Sequence, residues 1–179
     1  NGISLILLPY YSMSLSKGKQ INFRFFNEIV FIASLSLILF LSIVKEIIFE
    51  YIGHGKFNQL QFEFELSLLM IPIIALTNNV VFNDFAAKKL DGVILRISLL
   101  HFALTSSAII IGSKFNLQTL LISLIGVHLI ILGIISNYKK KLESSVIIGT
   151  KYFLFGIFFA VGFIYTLPVS NNSLLFLLL

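Results

Sequence analysis

Apolar residues in this chain come in long runs separated by short charged stretches, and the runs set the architecture. A helix that crosses a bilayer needs about 20 consecutive, mostly apolar residues. Residues 27–49 meet that need, with no charge between Glu28 and Lys45. Residues 65–83 form a second run, in which Pro72 predicts a kink because proline cannot donate to the preceding turn. Residues 92–112 form a third, interrupted by Arg96 and His101, and residues 116–138 a fourth, interrupted only by His128. Residues 145–167 form a fifth, which contains Lys151 and ends before Pro168. The pattern predicts an all-α, polytopic transmembrane bundle with five clear spans, built as a single transmembrane domain over residues 1–179.

Both ends depart from that pattern. Residues 3–15 are apolar but short for a span, and Leu174 to Leu179 reads as the opening turns of a further span that then stops. The start has neither a methionine nor the charged beginning of a signal peptide. The expectation is a fragment whose missing helices come from another polypeptide.

Charge orients the bundle. If residues 3–15 cross the membrane, Lys17, Lys19, Arg24, Lys88, Lys89 and Lys139–Lys141 share one side. Only Lys56 and Lys114 occupy loops on the other, with Lys45 near a helix end. That asymmetry follows the positive-inside rule and places the loops around 17–24, 84–91 and 139–144 toward the matrix or cytoplasm. The net charge of +5 is therefore read as topology-setting lysine rather than a nucleic-acid surface. Composition narrows the chemistry further. The chain is 58% hydrophobic and only 12% charged, about half the charge of a soluble domain. It has no cysteine, which excludes disulfides, a thiol nucleophile and cysteine-held iron–sulfur clusters. It has no glycine-rich phosphate loop, and no His/Asp/Glu cluster with metal-ligand spacing. No cofactor is expected on this chain. Its richness in Ile, Phe, Leu, Asn and Lys, without Trp, points to an AT-rich coding sequence of organellar type.

The candidate chemistry is carried by ionisable residues inside the runs, which are costly in hydrocarbon, about 2.5–3.5 kcal/mol for a lysine at a helix centre. Lys151 reads as lying about two turns into the fifth run, either as a proton-carrying amine or as a side chain that snorkels to the basic side. His128, in mid-span, is a second candidate relay because imidazole titrates near neutrality. His101 carries the same two readings, relay or hydrogen-bonded neutral ring. Arg96 reads as snorkelling. Glu28, Glu63, Glu65 and Asp84 fall at span ends and read as solvated caps or interface residues. Gly126 with Gly133, and Gly149 with Gly156, recur at seven-residue spacing, which predicts close helix approach on one face or ordinary membrane-helix glycine.

Residues 138–156 read YKKKLESSVIIGTKYFLFG. This stretch resembles the segment between the fifth and sixth helices of the antiporter-type membrane subunit 2 of NADH:ubiquinone oxidoreductase, respiratory complex I. The family's tyrosine and basic residues are matched by Tyr138 and Lys139–Lys141, its Glu-containing helix start by Glu143-Ser144-Ser145, and its Lys-Tyr pair by Lys151-Tyr152. The polar break from Ser106 through Ser113 to Asn116 is similar to one upstream in the family. The resemblance covers about 50 residues well, and the first 90 carry no specific match. The family places a glutamate twelve residues before the tyrosine, where this chain has Gly126. In the family that glutamate pairs with the sixth-helix lysine and tunes its proton affinity; Gly126 gives Lys151 no such partner, which is what a scaffold alternative rests on.

The resemblance implies a membrane-arm subunit of complex I that takes part in proton translocation coupled to NADH oxidation by ubiquinone. It implies Lys151 as proton relay, the mitochondrial inner membrane rather than a bacterial one, and partners among other membrane-arm subunits, including a chain that supplies the remaining helices. NADH, flavin and clusters would be bound elsewhere in the complex. Two rivals follow: a structural or assembly subunit that has lost the proton path, and a subunit of a Mrp-type cation/proton antiporter that shares the module.

Overall fold

The computed structural model describes residues 9–14, 16–17, 22–52, 58–143 and 147–166. These residues are mostly helical, and no strand occurs among them. Helix α1 spans Phe23–Ile47 and continues as a π-helical turn over Ile48–Ile52. Helix α2 spans Gln61–Leu68 and α3 spans Met70–Asn78, followed by a π-helix over Asn79–Phe85. Helix α4 spans Asp91–Gly112, α5 Leu117–Glu143 and α6 Thr150–Thr166. Four continuous helical stretches are long and apolar enough to cross a membrane: Phe23–Tyr51, Gln61–Phe85, Asp91–Gly112 and Leu117–Leu142. Helix α6 is shorter, at 17 residues. The protein is thus an all-helical chain built for a multi-pass membrane setting. Of the short N-terminal run, residues 9–14 are helical, and Tyr11 packs its ring edge-on against Phe23 with centroids 4.8 Å apart. The run's beginning and the Leu174–Leu179 segment lie outside the described residues.

Local sequence explains the breaks. Asn22 caps α1, its side chain accepting the backbone N–H of Phe25 at 3.1 Å. Asn116 does the same for α5, accepting from Thr119 at 2.8 Å. Both satisfy a first-turn donor that has no intrahelical partner. The sequence predicts a kink from Pro72; the α-helix is broken at Leu69, one turn earlier. Proline removes the N–H that would bond the carbonyl of Leu68 and crowds that carbonyl. Leu69 donates to Leu66 at 3.3 Å, and the α-helix is interrupted there between α2 and α3. The loop from the second span to α4 closes with Lys89 at φ 56°. Leu90 donates back to Phe85 and Lys89 to Ala86, both at 3.0 Å, the two-bond pattern that ends a helix in a left-handed residue.

Packing follows the spacing of apolar residues. Helix α1 presents Phe31, Leu35 and Ile38, and α5 presents Val127, Ile131 and Ile135, all buried in one core. Leu76, Val80 and Phe85 fill the space between them, so the second span is the most enclosed. Helix α4 packs against α5 and also touches the π-helix that ends the second span. Their connection is tight: a Cβ on Gly112 would lie 2.8 Å from the Leu120 backbone. Helix α6 rests on α1, with Gly156 against the ring of Phe31. Outward faces are apolar, with Ile43, Phe102 and Phe158 about three-quarters exposed at 77%, 74% and 75%. In a bilayer this surface is at no disadvantage, because lipid tails are as apolar as the side chains. The glycine pairs divide accordingly. Gly156 makes a close approach and Gly149 lies just before α6, whereas a Cβ added at Gly126 or Gly133 would meet nothing within 4 Å.

Candidate functional site: buried polar groups along α5

The element order brings charged residues together at each end of the bundle. At the end where α1 begins, Asp84 meets Lys139 in an ion pair whose side chains are each 1% exposed. Lys88 reaches the other oxygen of the same carboxylate at 2.5 Å. The Phe23 ring lies beneath both ammoniums, with its centroid 4.4 Å from Lys88 and 5.7 Å from Lys139. A buried lysine survives only when paired, because the desolvation of an isolated ammonium costs several kcal/mol. Asp84 supplies the opposite charge, and the ring face adds a weaker attraction.

The π-helix over Asn79–Phe85 presents Asp84 together with a chain of amides. Such one-turn widenings recur at functional positions. Asn83 donates to Asn79 at 2.6 Å, Asn79 donates to Asn27 at 2.6 Å, and Asn27 donates to the Ile147 carbonyl at 3.0 Å. One relay of side-chain amides thereby ties three segments: the π-helix, α1 and the backbone that approaches α6. Asp84 stands beside them, bound to α5. Glu28 strengthens the same corner. Its Oε1 accepts the Arg24 guanidinium at 2.9 Å and the Gly149 N–H at 3.0 Å. A Cβ at Gly149 would meet the Arg24 guanidinium, so a side chain there would displace the arginine from Glu28.

The opposite end holds a second buried set. Glu65 is 2% exposed and pairs with Lys45 of α1. Glu63, two residues earlier on α2, accepts from Gln118 of α5 at 3.0 Å. Between the two ends, His101 of α4 and His128 of α5 face each other edge to face, with ring centroids 4.8 Å apart and planes at 70°. Helix α5 therefore carries Gln118, His128 and Lys139 along its packed side, at intervals of about 15 Å from the helical rise. Each one meets a titratable partner from another helix. Ile131 and Ile135, both fully buried, fill the interval between His128 and Lys139.

Three expectations change here. Lys139 is not a loop residue, because α5 runs on to Glu143 and carries it into the bundle. Asp84 and Glu65 are not solvated caps, since each lies buried against a lysine. Lys151 is not two turns deep: α6 begins at Thr150, so Lys151 occupies its first turn with an exposed side chain. No ion pair joins it to another described residue. His128 lies in mid-span as expected, and its partner is His101. Gly126, where the family has its glutamate, leaves that face of α5 open. Among the described residues no three His, Asp or Glu side chains gather to hold a metal. Pairing by i,i+4 spacing could have found Lys88–Asp84; nothing local signals Lys139–Asp84, which are 55 residues apart. Compared with protein-family models, curated proteins and solved structures, the chain matches none.

Proposed function

We propose that this chain is a membrane-arm subunit of respiratory complex I of the subunit 2 type, taking part in proton translocation coupled to NADH oxidation by ubiquinone in the mitochondrial inner membrane. The observation that carries the reading is that titratable groups meet α5 at three depths of the bundle: Glu63 at Gln118, His101 at His128, and Asp84 at the buried Lys139. Buried charge in a membrane helix is retained against a cost, and proton paths are the common reason. The motif from Tyr138 to Gly156 supplies the family. On this reading Asp84–Lys139 and His101–His128 exchange protons, and water or side-chain motion bridges the intervals of about 15 Å between them. Lys151 joins the path only where a neighbouring chain covers it. The chain itself holds no redox group. It belongs with partner subunits that bind NADH, flavin and iron–sulfur clusters.

A second reading is a scaffold subunit that keeps the fold and no longer moves protons. The exposed position of Lys151 and the glycine at 126 favour it. Purification from membranes in a mild detergent tests the assignment. A flavin- and iron–sulfur-bearing assembly that reduces quinone with NADH is expected. An assembly without redox groups would point to a Mrp-type antiporter, and a stable, monodisperse, isolated 20.1 kDa chain would contradict membership in either complex.

A further inference from the structure

We propose that His101 and His128 form a two-imidazole proton site at mid-depth of the α4–α5 interface, holding one proton between them. Nε2 of His101 and Nδ1 of His128 are both buried, and neither has a hydrogen-bond partner among the described residues. A buried polar atom left unpaired is costly, and native structures contain few. Each neutral imidazole offers one N–H and one acceptor nitrogen. Ring centroids 4.8 Å apart are close enough for a nitrogen of one ring to reach a nitrogen of the other once the rings turn. A single N–H···N bond then satisfies both orphaned atoms. With one added proton that bond becomes charge-assisted, about twice as strong as its neutral form. The balance is simple: the neutral pair already carries the bridging N–H, so the added proton, taken from hydronium, binds the outer nitrogen of the donor ring, and the imidazolium so formed keeps its bridging N–H on the other ring's nitrogen. A second proton would place two like charges side by side in a low dielectric, so the pair holds one.

The surroundings isolate this site. On α4 the charged residues are Asp91 and Arg96, both exposed and toward the basic end. Helix α3, which also packs on α5, carries no charged residue. Lys139 with Asp84, and Glu63 with Gln118, lie about 15 Å away along α5 in opposite directions. Thr105 lies one turn from His101 on the same helix, and its buried hydroxyl also lacks a described partner. It is placed to orient the ring or a bound water. With only two ligating side chains the site suits a proton better than a structural metal ion, which takes four. The site does not depend on the complex I assignment, since a scaffold subunit would carry it as well.

The test uses the full chain in lipid bilayers with 15N-labelled histidine and His54→Gln, which leaves only these two rings. Ring-nitrogen resonances are followed between pH 5 and 8. The expected result is one protonation step seen on both rings together, with uptake of one proton per chain and nitrogen–nitrogen coupling across the shared bond. Two independent steps with two protons taken up would overturn the proposal, as would rings that stay neutral throughout. His101→Gln should abolish the coupling and the shared step. An unchanged step on His128 in that variant would also overturn it. Because neither readout involves quinone or pumping, failure here is separate from failure of the assignment to complex I.

Discussion

Two lysines twelve residues apart exchange the roles that their surroundings suggest. Lys139 belongs to a run of three lysines at the end of an apolar stretch and yet is 1% exposed, held by Asp84. Lys151 lies inside an apolar run and yet is exposed, in the first turn of its helix. The difference teaches that apolar neighbours in sequence do not bury a charge; packed neighbours in space do. Helix α5 is long enough to carry Lys139 past the core and against the π-helix. Helix α6 touches the bundle mainly on the face that holds Gly156 and Tyr152, and Lys151 faces away from it.

The contrast is sharpest in stability. Asp84→Leu strands Lys139 in the interior without its partner. It should destabilise the chain by about 3–5 kcal/mol in a detergent melt. Adding Lys139→Met should restore most of that loss, since a neutral pair of similar volume avoids the desolvation cost. If Asp84→Leu melts like the wild type, the pair is not buried as described. Gly156→Val comes next. Its side chain would enter the Phe31 ring, and overpacking of this kind costs about 1–3 kcal/mol; Phe31→Leu in the same chain should recover part of it. Asn27→Leu removes the middle of the amide relay and leaves the Ile147 carbonyl and the Asn79 amide unpaired, at about 1–3 kcal/mol. Its melting temperature should fall, and loss of the ordered approach to α6 should raise protease cleavage near residue 147. Lys151→Met should shift stability least, within about 0.5 kcal/mol, as for other exposed positions. A large loss from Lys151→Met would erase the contrast between the two lysines.

Much of the fold is legible in the sequence because the bilayer requirement is crude: length and apolarity mark the spans at 27–49, 65–83, 92–112 and 116–138 to within a few residues of the four long helices. The break near Pro72 is legible for the same reason, as one residue type removes one bond. The site is less so. His128 is visible as a polar residue in a run, but its partner His101 lies on another helix and only packing joins them. Asp84 and Glu65 resemble caps because both stand near the ends of an apolar run. What buries them is the π-helical turn and the short α2, and neither has a sequence pattern of its own. Lys139 hides in a basic triplet whose other members remain exposed.

Proton yield per electron tests the central claim most directly: that the buried groups on α5 move protons. Asp84→Asn with Lys139→Met keeps the shape of the pair and removes its charge. In the reconstituted complex this double variant should assemble and reduce quinone with NADH, while pumping fewer protons per NADH oxidised than the wild type. An unchanged proton yield at normal quinone reduction would contradict the claim and leave the buried pair, and this chain, as scaffold.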